Sequence, residues 1–245
     1  MAARIAQLVT ADRPGARVLE IGPGTGRLTQ ALLEARAGVT AIDIDPDMVR
    51  ILQAQDALRG AHIVQTDALT FDYDTFAAQP WRMAGNLPYN IATPLIMRLI
   101  SMKAGPEMLV VMVQKEVAQR FTARPGTPAY GSLSVALQYA MDVETLFNVK
   151  AAAFYPRPKI DSSVVRLTRR STPAVWVADE ERFLQVVRAA FAYRRKTLAN
   201  SLALALGVER GAVTQALQHL GLDTEIRGEQ LSIADFARLA DRLPA

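Results

Sequence analysis

The amino-acid sequence predicts an α/β fold in which a doubly wound sheet is joined to a small all-helical C-terminal domain. The chain has 245 residues, half of them apolar, which is enough for one large domain or for a domain with a small appendage. Over roughly the first two-thirds, short β-branched or apolar runs alternate with helical patterns, which is typical of a parallel sheet. After residue 178 the apolar residues recur only at helical spacing.

Seven apolar or β-branched runs are predicted to be strands, and right-handed crossovers would place helices on both faces of the sheet that they form. The predicted strands are Arg17–Ile21, Val39–Ile44, His62–Gln65, Arg82–Asn86, Met108–Val113, Asp142–Phe147 and Ser163–Thr168. Helical patterns cover Leu28–Ala35, Asp47–Leu58, Ala92–Met102, Gln114–Thr122 and Ser132–Tyr139. Together these elements predict an α/β domain over residues 1–172.

A second, helical domain is predicted over residues 178–245. Residues 169–178 are typical of a linker, because they contain Thr172, Pro173 and two arginines. Beyond the linker, groups of apolar residues at helical spacing predict amphipathic helices, and Ser232 is the expected N-cap of the last one. These groups begin at Phe183, Leu198, Val213 and Ile233.

The composition excludes several kinds of chemistry. The chain has no cysteine, which rules out disulfides and thiolate metal sites. Only His62 and His219 supply imidazoles, which argues against a His-based zinc site or a Ser-His-Asp centre, so we expect no metal. The sequence also lacks a signal peptide and any apolar run of about 18 residues, so we expect a cytoplasmic protein with no membrane partner.

The positive charge of the chain is concentrated in one region. The net charge is +4, but residues 150–200 contain 11 Lys and Arg against 4 Asp and Glu, a local net charge of +7. Solvated helix faces would explain any one of these clusters. So local an asymmetry nevertheless favours a surface that binds a polyanion.

A glycine-rich turn follows the first predicted strand. The segment Val18–Gly26 places glycines at 22, 24 and 26 between a strand and a helix, where the backbone can approach a ligand closely. The dinucleotide fingerprint G-x-G-x-x-G fails, because Arg27 stands where its last glycine is required. The form E-x-G-x-G-x-G, which begins at Glu20, instead resembles S-adenosylmethionine-dependent methyltransferases. A tight turn without a ligand is the alternative.

Carboxylates lie at the carboxyl ends of the next two predicted strands. Asp43 is positioned to accept hydrogen bonds from both hydroxyls of a ribose, and Asp67 from an exocyclic adenine amine. Ile44 and Ala68 would be apolar neighbours of the adenine. Helix capping explains Asp45 and Asp47, which flank Pro46, and could also explain each of the other acids taken alone. Together the strand ends predict an adenosine-containing cofactor.

The fourth predicted strand ends in Asn86-Leu87-Pro88-Tyr89. Asn-Leu-Pro-Tyr resembles the ribosomal RNA adenine dimethyltransferases, although a turn alone would also explain an Asn-x-Pro segment. The side-chain oxygen of Asn86 and the carbonyl of Leu87 would accept the two hydrogens of an adenine amine and turn its lone pair toward a methyl donor. Pro88 fixes the turn and Tyr89 can stack on the base. Positioning then replaces a strong base.

The resemblance to KsgA-type small-subunit rRNA dimethyltransferases extends over nearly the whole chain. It is carried by Val113–Arg120, Pro128–Val135, Gln138-Tyr139, Phe154–Ser162 and Phe191–Leu198. It implies a Rossmann-like class I methyltransferase domain, with Phe154 holding the target adenine and Tyr155 beside it. Plain packing is the alternative for Tyr155. The basic residues expected to contact RNA phosphates are Arg157, Lys159, Arg194, Arg195 and Lys196.

The resemblance implies a specific substrate and cofactor. The expected reaction dimethylates N6 of two adjacent adenines in the 3′-terminal hairpin loop of 16S rRNA within an immature small subunit, by a monomeric enzyme. S-adenosylmethionine is the expected donor and S-adenosylhomocysteine the product. The alternatives are a 23S rRNA methyltransferase of the macrolide-resistance type, an assembly factor that binds RNA without turnover, and a small-molecule methyltransferase.

The sequence departs from the family at two points. Members carry a basic segment and a G-Q-N-F-L motif upstream of the glycine-loop strand, whereas the printed sequence starts at what we interpret as the following helix. A missed upstream start, or a printed sequence that gives only part of the chain, would explain this. If the motif is truly absent, we expect weaker cofactor binding. Asp43 stands where the family commonly has the longer Glu, so contact with a ribose would need a water molecule or a small shift.

Overall fold

The computed structural model describes residues 1–76, 78–88, 90–154 and 157–244. The chain divides into two compact units. We call Met1–Ala118 with Asp142–Arg169 the α/β unit, and Gln119–Met141 with Arg170–Ala245 the helical unit.

The sheet has seven strands in the order β3-β2-β1-β4-β5-β7-β6. The strands are β1 Arg17–Ile21, β2 Gly38–Asp43, β3 His62–Gln65, β4 Trp81–Asn86, β5 Met108–Gln114, β6 Met141–Val149 and β7 Ser162–Arg169. Strands β1 to β5 are parallel to one another, as predicted, whereas β7 departs from the predicted parallel sheet and is antiparallel to β5. All seven predicted strands are confirmed, with bounds that differ by at most two residues.

Helices of the α/β unit follow the predicted alternation with the strands. They are α1 Ala2–Thr10, α2 Arg27–Glu34, α3 Pro46–Gln53, α4 Tyr73–Phe76, α5 Ala92–Ser101 and the start of α6 Lys115–Phe121. The capping role of Asp45 is confirmed, since its side chain accepts hydrogen bonds from the backbone N–H groups of Asp47 and Met48.

The single helix predicted over Asp47–Leu58 is wrong at its C-terminal end. Helix α3 stops at Gln53, Gln55 has an extended backbone, and a separate 3-10 turn covers Asp56–Leu58. The break lets both Leu52 and Leu58 bury their side chains in one apolar cluster with Ala41, Val49 and Ile63.

The helical unit contains five complete helices among its described residues. They are α7 Ser132–Ala140, α8 Glu180–Ala190, α9 Leu198–Leu206, α10 Arg210–His219 and α11 Ile233–Ala240. Ser232 caps α11 as expected, because its hydroxyl accepts a hydrogen bond from the backbone N–H of Asp235 at 3.1 Å. Phe183, Leu217 and Phe236 are fully buried in the core of the unit.

The observed division differs from the expected boundaries of 1–172 and 178–245, because residues 119–141 join the helical unit. Tyr130, Val135 and Tyr139 are buried in the same core as the C-terminal helices. The hydroxyl of Tyr130 donates a hydrogen bond to the carbonyl of Leu231 at 3.0 Å. Residues 119–141 therefore belong to the helical unit because they pack against helices that come much later in the sequence.

A buried cation links α1 to the centre of the sheet. Arg82 on β4 is 4% exposed and donates to both carboxylate oxygens of Asp12, at 2.5 and 2.8 Å, and to the carbonyl of Val9 at 2.8 Å. The hydrogen bonds from Arg82 lower the pKa of Asp12 to about 2. The pair therefore contributes stability that is fully present above the ordinary Asp pKa and disappears as the pH falls toward 2.

We expect Asp12→Asn to lower the free energy of unfolding by about 1 kcal/mol at pH 7, a modest value because solvent screens the largely exposed carboxylate. Urea unfolding at several pH values measures this difference, which should shrink as the pH falls from about 4 to 2. Asp56→Asn is the matched control, because it removes an ion pair whose two partners are both well exposed. Equal effects of the two substitutions at pH 7 would contradict the assignment.

Candidate functional site

The carboxyl ends of three adjacent parallel strands bring the predicted site residues together. Ile21 at the end of β1 is in register with Ile42 of β2 on one side and with Gly85 of β4 on the other. The residues that follow these three positions, Gly22, Asp43 and Asn86, therefore emerge side by side at one edge of the sheet. This is the place where an open α/β sheet forms its ligand crevice.

Two cavities of the α/β unit open at this edge, and Gly22 lines both of them. The first, of about 340 Å³, we call the Asp43 cavity. The second, of about 650 Å³, we call the Asn86 cavity. The Asp43 cavity includes Ile21, Ile42, Asp43, Ile44, Asp67, Ala68 and Pro88 in its lining. The lining of the Asn86 cavity includes Glu20, Gly24, Arg27, Asn86, Met112, Phe147, Asn148 and Phe154.

The three glycines of the turn have different structural roles. Gly22 has a φ of +65°, in the left-handed region that favours glycine, and contributes to both cavities. Gly24 lines the Asn86 cavity, and a Cβ added there would meet no protein atom within 4 Å. Gly26 is not among the described residues that line either cavity. Gly26 has a φ of +82°, which favours glycine, and a Cβ there would also lie 2.6 Å from Cδ1 of Leu58, so backbone conformation and packing explain this glycine.

Glu20 places a buried carboxylate in the wall of the Asn86 cavity. Its side chain is 1% exposed, and it accepts a hydrogen bond of 2.6 Å from the hydroxyl of the buried Thr29 on α2. Burial raises the pKa of Glu20 to about 7, although the hydrogen bond from Thr29 opposes this rise. Near neutral pH this carboxyl group therefore exists in both protonation states. Sequence reasoning missed Thr29, since a threonine inside a helix carries no motif.

The two carboxylates of the Asp43 cavity are held by their own backbone. Oδ1 of Asp43 accepts a hydrogen bond from the N–H of Asp45 at 3.0 Å, and Oδ1 of Asp67 accepts one from the N–H of Leu69 at 2.8 Å. An ionised carboxylate has about four acceptor positions, so each retains capacity for a ligand. Ile44, whose residue surface is 65% exposed, adds an apolar surface to the same cavity.

The segment after β4 is fixed by hydrogen bonds on both sides. Asn86 is the last residue of β4, is in register with Met112 of β5 and lines the larger cavity. The N–H of Leu87 donates to the carbonyl of Met112 at 3.1 Å, and the side chain of Leu87 is buried. The carbonyl of Pro88 accepts hydrogen bonds from the first turn of α5. Tyr89 lies outside the described residues.

Phe154 reaches the Asn86 cavity from the connection between β6 and β7. Asp161 holds this connection, because its Oδ1 accepts a hydrogen bond from the N–H of Ala151 at 3.0 Å and its Oδ2 lies 3.2 Å from Nζ of Lys150. These hydrogen bonds, led by that from Ala151, lower the pKa of Asp161. Tyr155 lies outside the described residues.

The structure also adds residues to the cavity that no sequence motif indicated. Met112 comes from the buried strand β5, while Phe147 and Asn148 come from β6. The guanidinium of Arg4 on α1 stacks on the ring of Phe147, 4.0 Å from its centroid. Apolar strand residues show no distinctive pattern in sequence, so only the fold reveals that they face this space.

The five predicted RNA-contacting residues are all exposed and belong to two different units. Arg157 and Lys159 lie in the α/β unit, and Arg194, Arg195 and Lys196 lie between α8 and α9 of the helical unit. Within the described part of the chain, no group of three or more Asp, Glu or His side chains could hold a metal ion. None of the described helices is long and apolar enough to span a membrane.

Comparison with known proteins points to one family. A model of the family described as ribosomal RNA adenine dimethylase matches residues 2–244. The "Ribosomal RNA small subunit methyltransferase A" of Pelotomaculum thermopropionicum is 46% identical over 244 residues, covering 93% of this chain and 82% of the relative. The protein of the same name from Streptococcus thermophilus is 43% identical over 238 residues, covering 92% of this chain and 81% of the relative.

Two solved structures resemble the whole fold. A dimethyladenosine transferase from Plasmodium falciparum superposes with a TM-score of 0.80 and 26% identity, covering 97% of this chain and 93% of that one. The 23S rRNA methyltransferase ErmE superposes with a TM-score of 0.74 and 29% identity, covering 99% of this chain and 96% of that one.

The buried carboxyl group of Glu20 predicts a specific pH dependence of stability. Between about pH 4.5 and 7 the unfolded chain releases this proton while the folded chain keeps it, so the free energy of unfolding falls as the pH rises. Glu20→Gln has no proton to release. We compare the unfolding free energy of this variant with that of the parent protein by urea unfolding without ligand. The difference should shift in favour of the variant by about 3 kcal/mol between pH 4 and pH 8.

Glu34→Gln is the control for this prediction, because Glu34 is an exposed glutamate on the same helix as Thr29. Its unfolding free energy should follow the pH profile of the parent protein. A Glu20→Gln profile parallel to that of the parent would show that the carboxyl group is not buried as described.

Proposed function

The chain belongs to the ribosomal RNA adenine dimethylase family, and we propose that it dimethylates N6 of two adjacent adenines in the 3′-terminal hairpin loop of 16S rRNA, within an immature small subunit. The observation that supports this most is the meeting of the Asp43 and Asn86 cavities at Gly22. One cavity suits a cofactor nucleoside and the other suits the base to be modified. Small-subunit relatives that match over nine-tenths of the chain support the choice of substrate.

The residues present fit S-adenosylmethionine. In this proposal Asp43 accepts hydrogen bonds from the ribose, Asp67 accepts one from the adenine amine, and Ile44 and Ala68 flank the adenine. Gly22 and Gly24 leave room for the rest of the cofactor, since a Cβ at Gly24 would extend into open space. The bound cofactor would supply a methyl group made electrophilic by a sulfonium.

Glu20 is the acceptor proposed for the ammonium group of the cofactor, because it places a carboxylate in the wall of the Asn86 cavity beside the glycine loop. Thr29 would orient that carboxylate and favour its ionised form through the 2.6 Å hydrogen bond. Gly26, which the sequence grouped with the cofactor residues, is assigned here to packing against Leu58.

Asn86 and Leu87 are the acceptors proposed for the adenine amine. The hydrogen bond from Leu87 to Met112 and the register of β4 with β5 hold their backbone in place before the substrate arrives. Acceptors fixed in this way orient the nitrogen lone pair without reorganisation, which is the main source of catalysis expected when no strong base is present. Phe154 would stack on the base, with Tyr89 as a second aromatic contact, and the released proton passes to water.

Recognition of RNA is assigned to the exposed basic residues. Phosphate contacts by Arg157, Lys159 and the run Arg194–Lys196 would position a strand whose adenines are unpaired and can be turned into the cavity. We propose that the enzyme acts as a monomer and in the cytoplasm, where immature subunits are found.

A 23S rRNA methyltransferase is the second candidate, because the fold of ErmE superposes over 99% of this chain. Sequence identity favours the small-subunit reaction, because the two small-subunit relatives are 46% and 43% identical to this chain and ErmE is 29% identical. Comparing methyl transfer to immature small subunits with transfer to protein-free 23S rRNA separates the two. A preference for the 23S rRNA would contradict the proposed substrate.

We expect Asn86→Ala to slow methyl transfer to immature small subunits roughly 100-fold or more, since it removes one preorganised acceptor from the transition state. Incorporation of labelled methyl groups measures the rate, and calorimetry with S-adenosylmethionine checks that the cofactor still binds. Asn200→Ala in the helical unit is the control. Unchanged transfer by Asn86→Ala would overturn the catalytic assignment.

Cofactor affinity should depend on the ionisation of Glu20. The carboxylate attracts an ammonium group only when ionised, so the affinity of the parent protein should rise up to about tenfold per pH unit below pH 7 and level off above it. Thr29→Val should move this rise to higher pH and Thr29→Ser should restore it, because the hydrogen bond lowers the pKa. Calorimetry from pH 5.5 to 8.5 measures both, and an unchanged profile in Glu20→Gln would contradict the role.

A further inference from the structure

The helical unit contains a cavity of its own, of whose lining residues the proposed function uses only Arg194, as one of several phosphate contacts. It has a volume of about 380 Å³ and lies where the segment before α7 meets the segment after α8. Its lining includes Arg120, Pro128, Tyr130, Gly131, Phe191 and Arg194. The two arginines are exposed, and no Asp or Glu is among the described residues that line this space.

The two guanidinium groups are available to an anion. None of the ion pairs between described residues involves Arg120 or Arg194. Arg194 donates one hydrogen bond of 3.2 Å to the carbonyl of Pro128, which also lines the cavity, so its guanidinium is held against the wall. A guanidinium has five N–H donors, and a fork of this kind matches the oxygens of a phosphate.

An aromatic ring accompanies these charges. Phe191 is half-buried. Its ring lies edge-on to the ring of Tyr130, with centroids 6.0 Å apart, and its centroid is 5.8 Å from that of Phe236. Tyr130 is itself fixed by the hydrogen bond to Leu231. The exposed part of Phe191 is therefore a rigid apolar surface beside two cations, a combination that suits a base and its phosphate.

We infer that this cavity binds one unstacked nucleotide of the RNA substrate, with Arg120 and Arg194 on its phosphate and Phe191 against its base. The inference rests on the proposed function, which supplies RNA as the substrate. Arg195 and Lys196 are exposed and follow Arg194 directly, so the positive charge continues beyond the cavity along the chain. Such a continuous basic stretch favours a nucleotide within a strand over a free phosphate.

Gly131 allows the cavity to be filled without disturbing the fold. Its backbone is extended, with φ at −166°, and a Cβ built there would meet no protein atom within 4 Å. Gly131→Leu therefore adds bulk where the ligand would lie. Gly211→Leu is its matched control, because Gly211 has the same open surroundings on α10 and does not line the cavity. Arg210→Ala is the matched control for Arg120→Ala, because Arg210 lies on α10 and does not line the cavity.

The test measures binding of the full chain to a fluorescein-labelled RNA hairpin whose loop contains two adjacent adenines, by anisotropy between 50 and 200 mM salt. We expect Arg120→Ala and Gly131→Leu to weaken binding about tenfold and to reduce the steepness of log K against log salt by about 0.7–0.9 per lost phosphate contact. The two control variants should match the parent protein. Urea unfolding verifies that all four variants fold.

Two results would overturn the inference. The first is unchanged hairpin affinity and salt dependence in both Arg120→Ala and Gly131→Leu. The second is that inorganic phosphate displaces the hairpin as effectively as adenosine monophosphate does. The cavity would then bind phosphate without recognising a base. Methyl transfer by the parent protein to immature small subunits is measured in parallel, so failure of the proposed function is distinguished from failure of this cavity.

Discussion

The parallel register that holds β1 between β2 and β4 is the constraint on which the rest of the candidate site depends. It brings Gly22, Asp43 and Asn86 to one edge, although they are far apart in sequence. The two cavities can share Gly22 only because these three strand ends are adjacent. Backbone N–H groups donate to Asp43 and Asp67, and the N–H of Leu87 donates to the carbonyl of Met112, so the acceptors at this edge are in place without a ligand.

Much of this arrangement could be predicted from sequence because its signals are local. The strands are apolar runs, Asp45 caps a helix next to Pro46, and the carboxylates follow strand ends, so the elements and the position of the site both emerge. The features that could not be predicted depend on contacts between residues far apart in the sequence. Gly26 packs against Leu58, and Tyr130 joins the helical core through Leu231. Neither contact leaves a local pattern.

In the proposed function the acceptors come from the α/β unit, whereas basic and aromatic contacts to RNA come from both units. The α/β unit provides fixed acceptors, Asn86 and three carboxylates, which suit a cofactor and the amine of a base. The helical unit provides guanidinium groups and an aromatic surface, which suit phosphates and unstacked nucleotides. Selective chemistry on RNA needs both kinds of contact, because charge binds any strand whereas positioned acceptors distinguish one atom.

Burial of the Glu20 carboxyl group costs the fold stability that a cationic ligand at this position would return. Near neutral pH the ionised fraction of this carboxyl group is buried in the wall of the Asn86 cavity, and its loss of hydration weakens the fold. A ligand that brings a positive group to this carboxylate returns that stability by mass action, in addition to its other contacts. The resistance of the folded chain to unfolding would then rise with the concentration of such a ligand, so an unfolding transition would report its binding.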